Sequence, residues 1–358
     1  MVDERIQKIA TLLIDYSTKV KEGDRVQIRT DALGRELALE LYKCALLRGA
    51  YPWLRTELPG SRYVFYKYAN DAQLGFFPDY ELAEIKNTDV YISIGAPSNL
   101  KELSSIDPAR IGARMKALKT ISDWRVEKTR WVIFYYPTEA LAQEADMPLQ
   151  EFEDFVFNSC LIDWKELSKK LQRLKEAVDS TDKVKILSPN TRLEFSVKGR
   201  NSVAANGDKN MPDGELFTSV VEQSVNGYIG FDIPAIWQGN VVEDVTLNFE
   251  QGRITNAKAS KNQAFLEKIL ETDEGSKRIG EFGIGFNYNI TKSVKTILFD
   301  EKIDGTIHLA LGRGYKETLS QNESAIHWDM VKDLRKDGEV YFDGKLRMKN
   351  GKWLINET

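Results

Sequence analysis

The chain changes pattern near Ser180, and that change limits its fold more tightly than any single residue does. Before it, helix-like and strand-like stretches alternate. Ile6, Ile9, Leu13 and Tyr16 recur at helical spacing. Asp24-Arg25-Val26-Gln27-Ile28-Arg29 alternates like a strand, and Glu36 to Leu47 reads as a helix stopped by Gly49. Val90-Tyr91-Ile92-Ser93-Ile94 and Trp131 to Tyr136 read as buried strands, the second ended by Pro137. Strands separated by helices predict βαβ units, hence an α/β N-terminal domain with a mostly parallel sheet over 1–180. A helix capped by Asp163 closes this half, with Leu167, Leu171, Leu174 and Val178 as a core-packing stripe. Beyond Ser180, short β-like segments follow one another. Turn signals stand at Pro189-Asn190, Asn206-Gly207, Asn226-Gly227, Gln251-Gly252, Asp343-Gly344 and Asn350-Gly351. One helical pattern interrupts them, from about Asn262 to Lys277. The second half is expected to be a β-rich α+β C-terminal domain over 181–358.

Composition removes several function classes. A net charge of −4 argues against an electrostatic nucleic-acid binder. Charges at Asp3, Glu4, Arg5 and Lys8 interrupt the first stretch, so it does not read as a signal peptide. No apolar run approaches the ~20 residues of a membrane span. Cys44 and Cys160 are the only cysteines, which leaves no thiolate zinc cluster and no disulfide framework. Cys44 lies in an apolar-rich helical pattern and reads as a packed thiol. The expected location is cytoplasmic.

The chain has only two histidines, and both fall in the C-terminal half. They are His308 in Thr306-Ile307-His308-Leu309-Ala310-Leu311-Gly312 and His327 in Ile326-His327-Trp328-Asp329. Two glutamates sit in glycine-flanked settings, Glu215 after Pro212-Asp213-Gly214 and Glu281 in Gly280-Glu281-Phe282-Gly283-Ile284-Gly285. In strands, alternate residues share a face. His308 then projects beside Thr306 and Ala310, away from Ile307, Leu309 and Leu311. His327 and Asp329 share a face in a strand but splay apart in a helix. Glu281, Gly283, Gly285 and Asn287 point together, and the glycines leave room for an ion and a substrate. Imidazoles with carboxylates are the ligand set of a hydrolytic metal site.

Each piece has a structural alternative. A lone histidine such as His308 is more often a hydrogen-bonded core histidine, His327 with Asp329 is equally a simple ion pair, and Glu281 can be an interior carboxylate with a basic partner. The glycines from Gly280 to Gly285 resemble a nucleotide loop, but they run from helix to strand, the reverse of a dinucleotide fingerprint. The coincidence of all these groups in one β-rich half favours a metal site.

The strings NMPDGELFT, GEFGIGFN, EKIDGTIHLALGRGY and SAIHWDMV resemble the signature blocks of the aminopeptidase T-type (thermophilic) metallo-aminopeptidase family. They span most of the second half in the family's order. The resemblance implies a two-metal centre held by Glu215, Glu281, His308, His327 and Asp329, with Glu301 either a further ligand or a group supporting the ligands. It implies that Glu281 bridges the ions and that Tyr315 donates a hydrogen bond to the developing oxyanion. It also implies peptide substrates with a free N-terminus, and a homodimer. Nitrogen and oxygen ligands suit zinc, cobalt or manganese alike. The general base is left open, with Asp213 among the carboxylates available. Two other readings compete. One is a metal-dependent amidase or dipeptidase with the same centre. The other is a non-enzymatic α/β ligand-binding protein, against which stands the lack of a phosphate-binding glycine loop after Ile28 or Ile94.

Overall fold

The structure is a computed structural model that describes residues 3–237 and 239–355. The chain forms two compact units. The first comprises the residues up to Leu161 together with Gly207–Pro212. Its strands are β1 (Arg25–Asp31), β2 (Tyr51–Glu57), β3 (Val90–Gly95) and β4 (Arg130–Tyr135). They lie in the order β2-β1-β3-β4 and every pair is parallel. A two-residue strand, Asn210–Met211, extends β4 in parallel. Helices fill the crossovers, among them α1 (Arg35–Leu47) and α2 (Pro108–Lys128). The α/β expectation for this part is met. β2 escapes the sequence pattern because it is an edge strand that carries Pro52 and alternates only weakly in burial. α2 escapes because none of its residues is fully buried, so it shows no clear apolar stripe.

The second unit comprises Ile162–Asn206 and the residues from Asp213 onward. It opens with α3 (Trp164–Asp179). The Asp163 carboxylate accepts hydrogen bonds from the Lys165 and Glu166 amides at 3.0 Å, and the stripe from Leu167 to Val178 is buried. α3 packs against strands of the second unit. The division by packing therefore falls at Leu161/Ile162, ahead of the 180/181 break in the sequence pattern.

Five antiparallel strands form the sheet that matters for function. They are β5 (Ser202–Ala205), β6 (Glu215–Thr218), β7 (Ile279–Gly285), β8 (Thr306–Gly312) and β9 (His327–Asp333), in the order β9-β8-β7-β6-β5. An eight-stranded antiparallel sheet belongs to the same unit. Phe195, on its strand Thr191–Ser196, meets Phe282 of β7 edge to face at 5.1 Å. Every residue of β7 and β8 is buried, so both faces of these strands are covered. The expected helix over Asn262 to Lys277 is shorter, Gln263–Leu270, followed by a 3-10 turn at Gly275–Lys277. Asp273 breaks it, because its carboxylate accepts from the Ser276 and Ala325 amides at 2.8 and 2.7 Å.

Among the described residues, no helix is long and apolar enough to cross a membrane. Cys44 and Cys160 are both buried, and the Cys160 Sγ lies 3.9 Å from the Ser159 hydroxyl. Leu171 is fully buried on α3. Leu171→Ala is expected to destabilise the fold by about 2–5 kcal/mol, read from urea denaturation. A loss below about 1 kcal/mol would show that α3 is not part of this core.

Candidate metal centre

The register of the five-stranded sheet builds the site. Glu215 pairs with Gly285 on one side and Ala205 on the other. His308 pairs with Gly283, Glu281 and Asp329 both pair with Ala310, and His327 pairs with Gly312. Each of these five candidate ligands thus has a residue with little or no side chain directly beside it, and the space goes to the functional groups. Gly283 is the tightest case, since a Cβ there would lie 1.9 Å from His308 Nε2. The glycines from Gly280 to Gly285 are a strand interior and not a nucleotide loop. A register shift between Ile279 and Glu281 marks a bulge that sets the direction of Glu281.

Most of the expected ligands converge. Glu281, His308 and Asp329 offer ligand atoms that lie within 4.8 Å of one another, and so do Glu215, Glu301 and His308. His308 Nε2 stands 3.3 Å from Glu281 Oε1 and 3.4 Å from Glu215 Oε2. His327 is outside both triads but adjoins one, with Nε2 3.5 Å from Asp329 Oδ2. Its Nδ1 lies 2.6 Å from the Arg313 carbonyl. That carbonyl accepts a hydrogen bond from Nδ1–H, which leaves the lone pair on Nε2, the nitrogen that faces Asp329. Asp213 is fully buried two residues from Glu215, and its backbone carbonyl accepts from Asn287 Nδ2 at 2.8 Å.

Tyr315 follows β8 and stands at the rim. Its ring is 5.1 Å from that of His327 and 5.5 Å from that of Phe217, and it is 43% exposed. The Thr318 amide and hydroxyl both donate to its carbonyl, fixing the backbone. Desolvation of the hydroxyl and the nearby charges of Glu281 and Asp329 hold its pKa above the ordinary tyrosine value.

One group was not found from sequence. Lys302 is completely buried, with its Nζ 3.4 Å from Glu215 Oε1 and hydrogen-bonded to Glu301. Its main chain is pinned, donating to the Phe299 carbonyl and accepting from the Asn287 amide, each at 3.0 Å. Burial disfavours its charged form, but Glu215, Glu301 and Asp213 outweigh that and raise its pKa. Beside Glu301 in the sequence, Lys302 looks like half of a solvated charge pair. The only hint was the apolar company of Ile297, Leu298, Phe299 and Ile303.

The electrostatics ask for more positive charge than Lys302 supplies. Burial pushes Glu215 well above the usual carboxylate range, against the pull of Lys302. Burial also raises Glu281, against its hydrogen bond from His308. Burial opposes the charged form of His308, yet Glu281 and the charges of Glu215 and Asp329 push its pKa up to about 9. Glu215 Oε2, Glu281 Oε2, Asp329 Oδ1 and His308 Nδ1 are buried without a hydrogen-bond partner. Buried polar atoms are rarely left so. These orphaned atoms, all nitrogen or oxygen donors, fit divalent cations.

The donor set is that of a metal-dependent hydrolase. The chain matches the thermophilic metalloprotease (M29) family over residues 2–353 and belongs to that family. It is similar to aminopeptidase AmpS of Bacillus subtilis (strain 168), with 26% identity over 98% of both chains. It is also similar to aminopeptidase 2 of Geobacillus stearothermophilus, with 24% identity over 98% of both. Its fold is that of the wild-type AmpT structure from Thermus thermophilus, with a TM-score of 0.88 and 20% identity over 99% of this chain and 100% of that one.

Gly283→Ala tests the seat of His308. The added methyl is expected to force the imidazole aside and cost about 1–3 kcal/mol of stability, measured by denaturant titration. Unchanged stability together with an unchanged His308 NMR titration would show that the ring does not depend on this glycine.

Proposed function

We propose that the chain is an aminopeptidase that releases N-terminal amino acids from peptides at a centre for two divalent cations. The observation that carries this reading is the pair of ligand triads sharing His308, with orphaned carboxylate oxygens in both. Glu215, Glu281, Glu301, His308, His327 and Asp329 would hold the ions. Zinc, cobalt and manganese all suit them. Bound there, such ions acidify a water molecule and polarise the scissile carbonyl.

The protein's own groups supply the rest. Glu281, beside His308 and facing Asp329 across Ala310, would be the central carboxylate of the set that holds the metal. Arg313 holds His327 in the tautomer that presents Nε2 inward. Tyr315, at the rim, donates its hydroxyl proton in a hydrogen bond to the carbonyl oxygen as charge develops. Its raised pKa keeps that proton in place through the working pH range. A carboxylate at the inner end receives the substrate's free α-ammonium, which confines cleavage to the first peptide bond. Family membership and the aminopeptidase relatives support the exopeptidase reading over an amidase or dipeptidase. A homodimer is part of the same reading, on the family resemblance. A cytoplasmic location belongs to the same reading, on the sparse cysteine content of the chain.

Chelation is expected to abolish hydrolysis of leucine p-nitroanilide, and added cobalt or zinc to restore it. Full activity in metal-free protein, or equal cleavage of N-terminally blocked peptides, would overturn the reading. Glu281→Gln is expected to lose metal and activity together. Tyr315→Phe is expected to keep its metal and to lower kcat by about 10²–10³. Unchanged turnover would remove Tyr315 from the reaction.

Metal affinity is expected to depend on pH. Binding needs neutral imidazole and ionised carboxylates. In the metal-free protein His308 holds its proton up to about pH 9, and Glu215 and Glu281 hold theirs above the usual range. Binding therefore releases protons, and affinity is expected to rise with pH until His308 has titrated. Calorimetry in buffers of different ionisation enthalpy counts those protons. A count of zero at neutral pH would contradict the geometry.

A further inference from the structure

We propose that Arg200 and Glu222 are positioning residues that hold the Tyr315 hydroxyl where it meets the substrate carbonyl. They act through the main chain of the loop that carries Tyr315, not by contact with the substrate. This rests on the role given to Tyr315 above.

Tyr315 lies on the connection between β8 and β9, where the only regular piece is the 3-10 turn Lys316–Thr318. Its ring meets Phe217 and His327 but is partly exposed, so its aim depends on the backbone beneath it. That backbone is tied at every second residue. Asn201 Nδ2 donates to the Glu317 carbonyl at 3.4 Å, and the Arg200 guanidinium donates to the Leu319 carbonyl. The Gln321 amide donates to Glu222 Oε1 at 2.8 Å. Arg200 Nη2 and Glu222 Oε2 are 2.6 Å apart, so a single ion pair holds both ends of the segment 319–321. Within the loop, the Ser320 amide donates to the Tyr315 carbonyl at 3.3 Å, beside the Thr318 bonds. A shift at Leu319 or Ser320 therefore reaches Tyr315.

Two observations separate this pair from an ordinary surface ion pair, which contributes little. The first is enclosure. The Arg200 side chain is 7% exposed and that of Glu222 16%, and Arg200 Nε is buried without a hydrogen-bond partner. Enclosing a guanidinium that is only partly satisfied is costly. The second is strain in the segment that the pair grips. Leu319 has a φ of +61°, a left-handed conformation that leucine seldom adopts. Its side chain is exposed, so core packing does not impose that conformation. Hydrogen bonds do, from the Leu319 amide to the Lys316 carbonyl at 3.0 Å and from Arg200 to the Leu319 carbonyl. Without the guanidinium, Leu319 is free to relax, and the bond from Ser320 to Tyr315 goes with it.

The test is a double-mutant cycle on the metal-loaded enzyme, read as kcat and KM for leucine p-nitroanilide. Arg200→Gln is expected to lower kcat by about 10–100-fold, the effect of misplacing a reacting group by about an ångström. KM and metal content are expected to stay within about twofold of wild type. In the Tyr315→Phe background, Arg200→Gln is expected to cost less than about twofold more, because an absent hydroxyl cannot be misplaced. Glu222→Gln, which leaves the guanidinium in place, goes through the same cycle if Arg200→Gln does not fold, as judged by circular dichroism. Wild-type kcat in the folded variant, a loss confined to KM, or a loss that multiplies with that of Tyr315→Phe overturns the inference and leaves the role of Tyr315 standing. Loss of fold in both variants makes the pair a structural element and overturns the inference as well. Unchanged turnover in Tyr315→Phe alone overturns the role of Tyr315 and the inference with it.

Discussion

Everything distinctive about this fold follows from the cost of burying acid. Glu215, Glu281 and Asp329 sit on strands whose faces are covered, where an isolated carboxylate loses the hydration that stabilises it. Such groups either take up protons or acquire cations. Here the protein supplies one cation of its own, Lys302, and leaves oxygen atoms on three carboxylates without a partner. A set of buried acids that is only partly compensated is costly as pure structure. It becomes understandable when the missing charge is brought by ions, as membership of a metalloprotease family requires.

The sheet meets a second demand, which is space. Five strands in contact leave little volume on either face, yet the His308 imidazole and several carboxylates must meet within a few ångströms, with His327 beside Asp329. Register solves this. Placing Gly285, Gly283, Ala310 and Gly312 beside the candidate ligands gives each functional group the volume that a neighbouring side chain would have filled. The glycines are therefore part of the site's geometry as much as the ligands are. They also explain why β7 is glycine-rich, which strand propensity alone disfavours.

Much of this was legible in the sequence, and the unread parts share a cause. The parallel sheet, the Asp163 cap and the stripe along α3 followed from periodicity, because each has a local physical signature. The shared face of His327 and Asp329 followed from strand alternation, and so did the separation of His308 from its apolar neighbours. The convergence of four separated segments rested on family resemblance, since register between distant strands leaves no local mark. Lys302 was missed because a lysine next to a glutamate normally signals a wet surface. Only the three-dimensional enclosure of the segment turns that pair inward. The end of the helix at Leu270 was missed for a similar reason. The bonds that Asp273 makes include one to Ala325, which lies far along the chain.

The buried lysine also bears on how such a centre forms at all. A pocket lined only by acids would repel itself before any metal arrived, and the sheet would have to close against that repulsion. With Lys302 in place, Glu215 and Glu301 are held by an ion pair in the metal-free protein, and their positions do not wait for an ion. Pre-organisation of this kind lowers the cost of assembling the ligands when the ion binds. The site's deeper residues, His308 and Lys302, are fixed by packing, while His327 and Tyr315 stand nearer the surface.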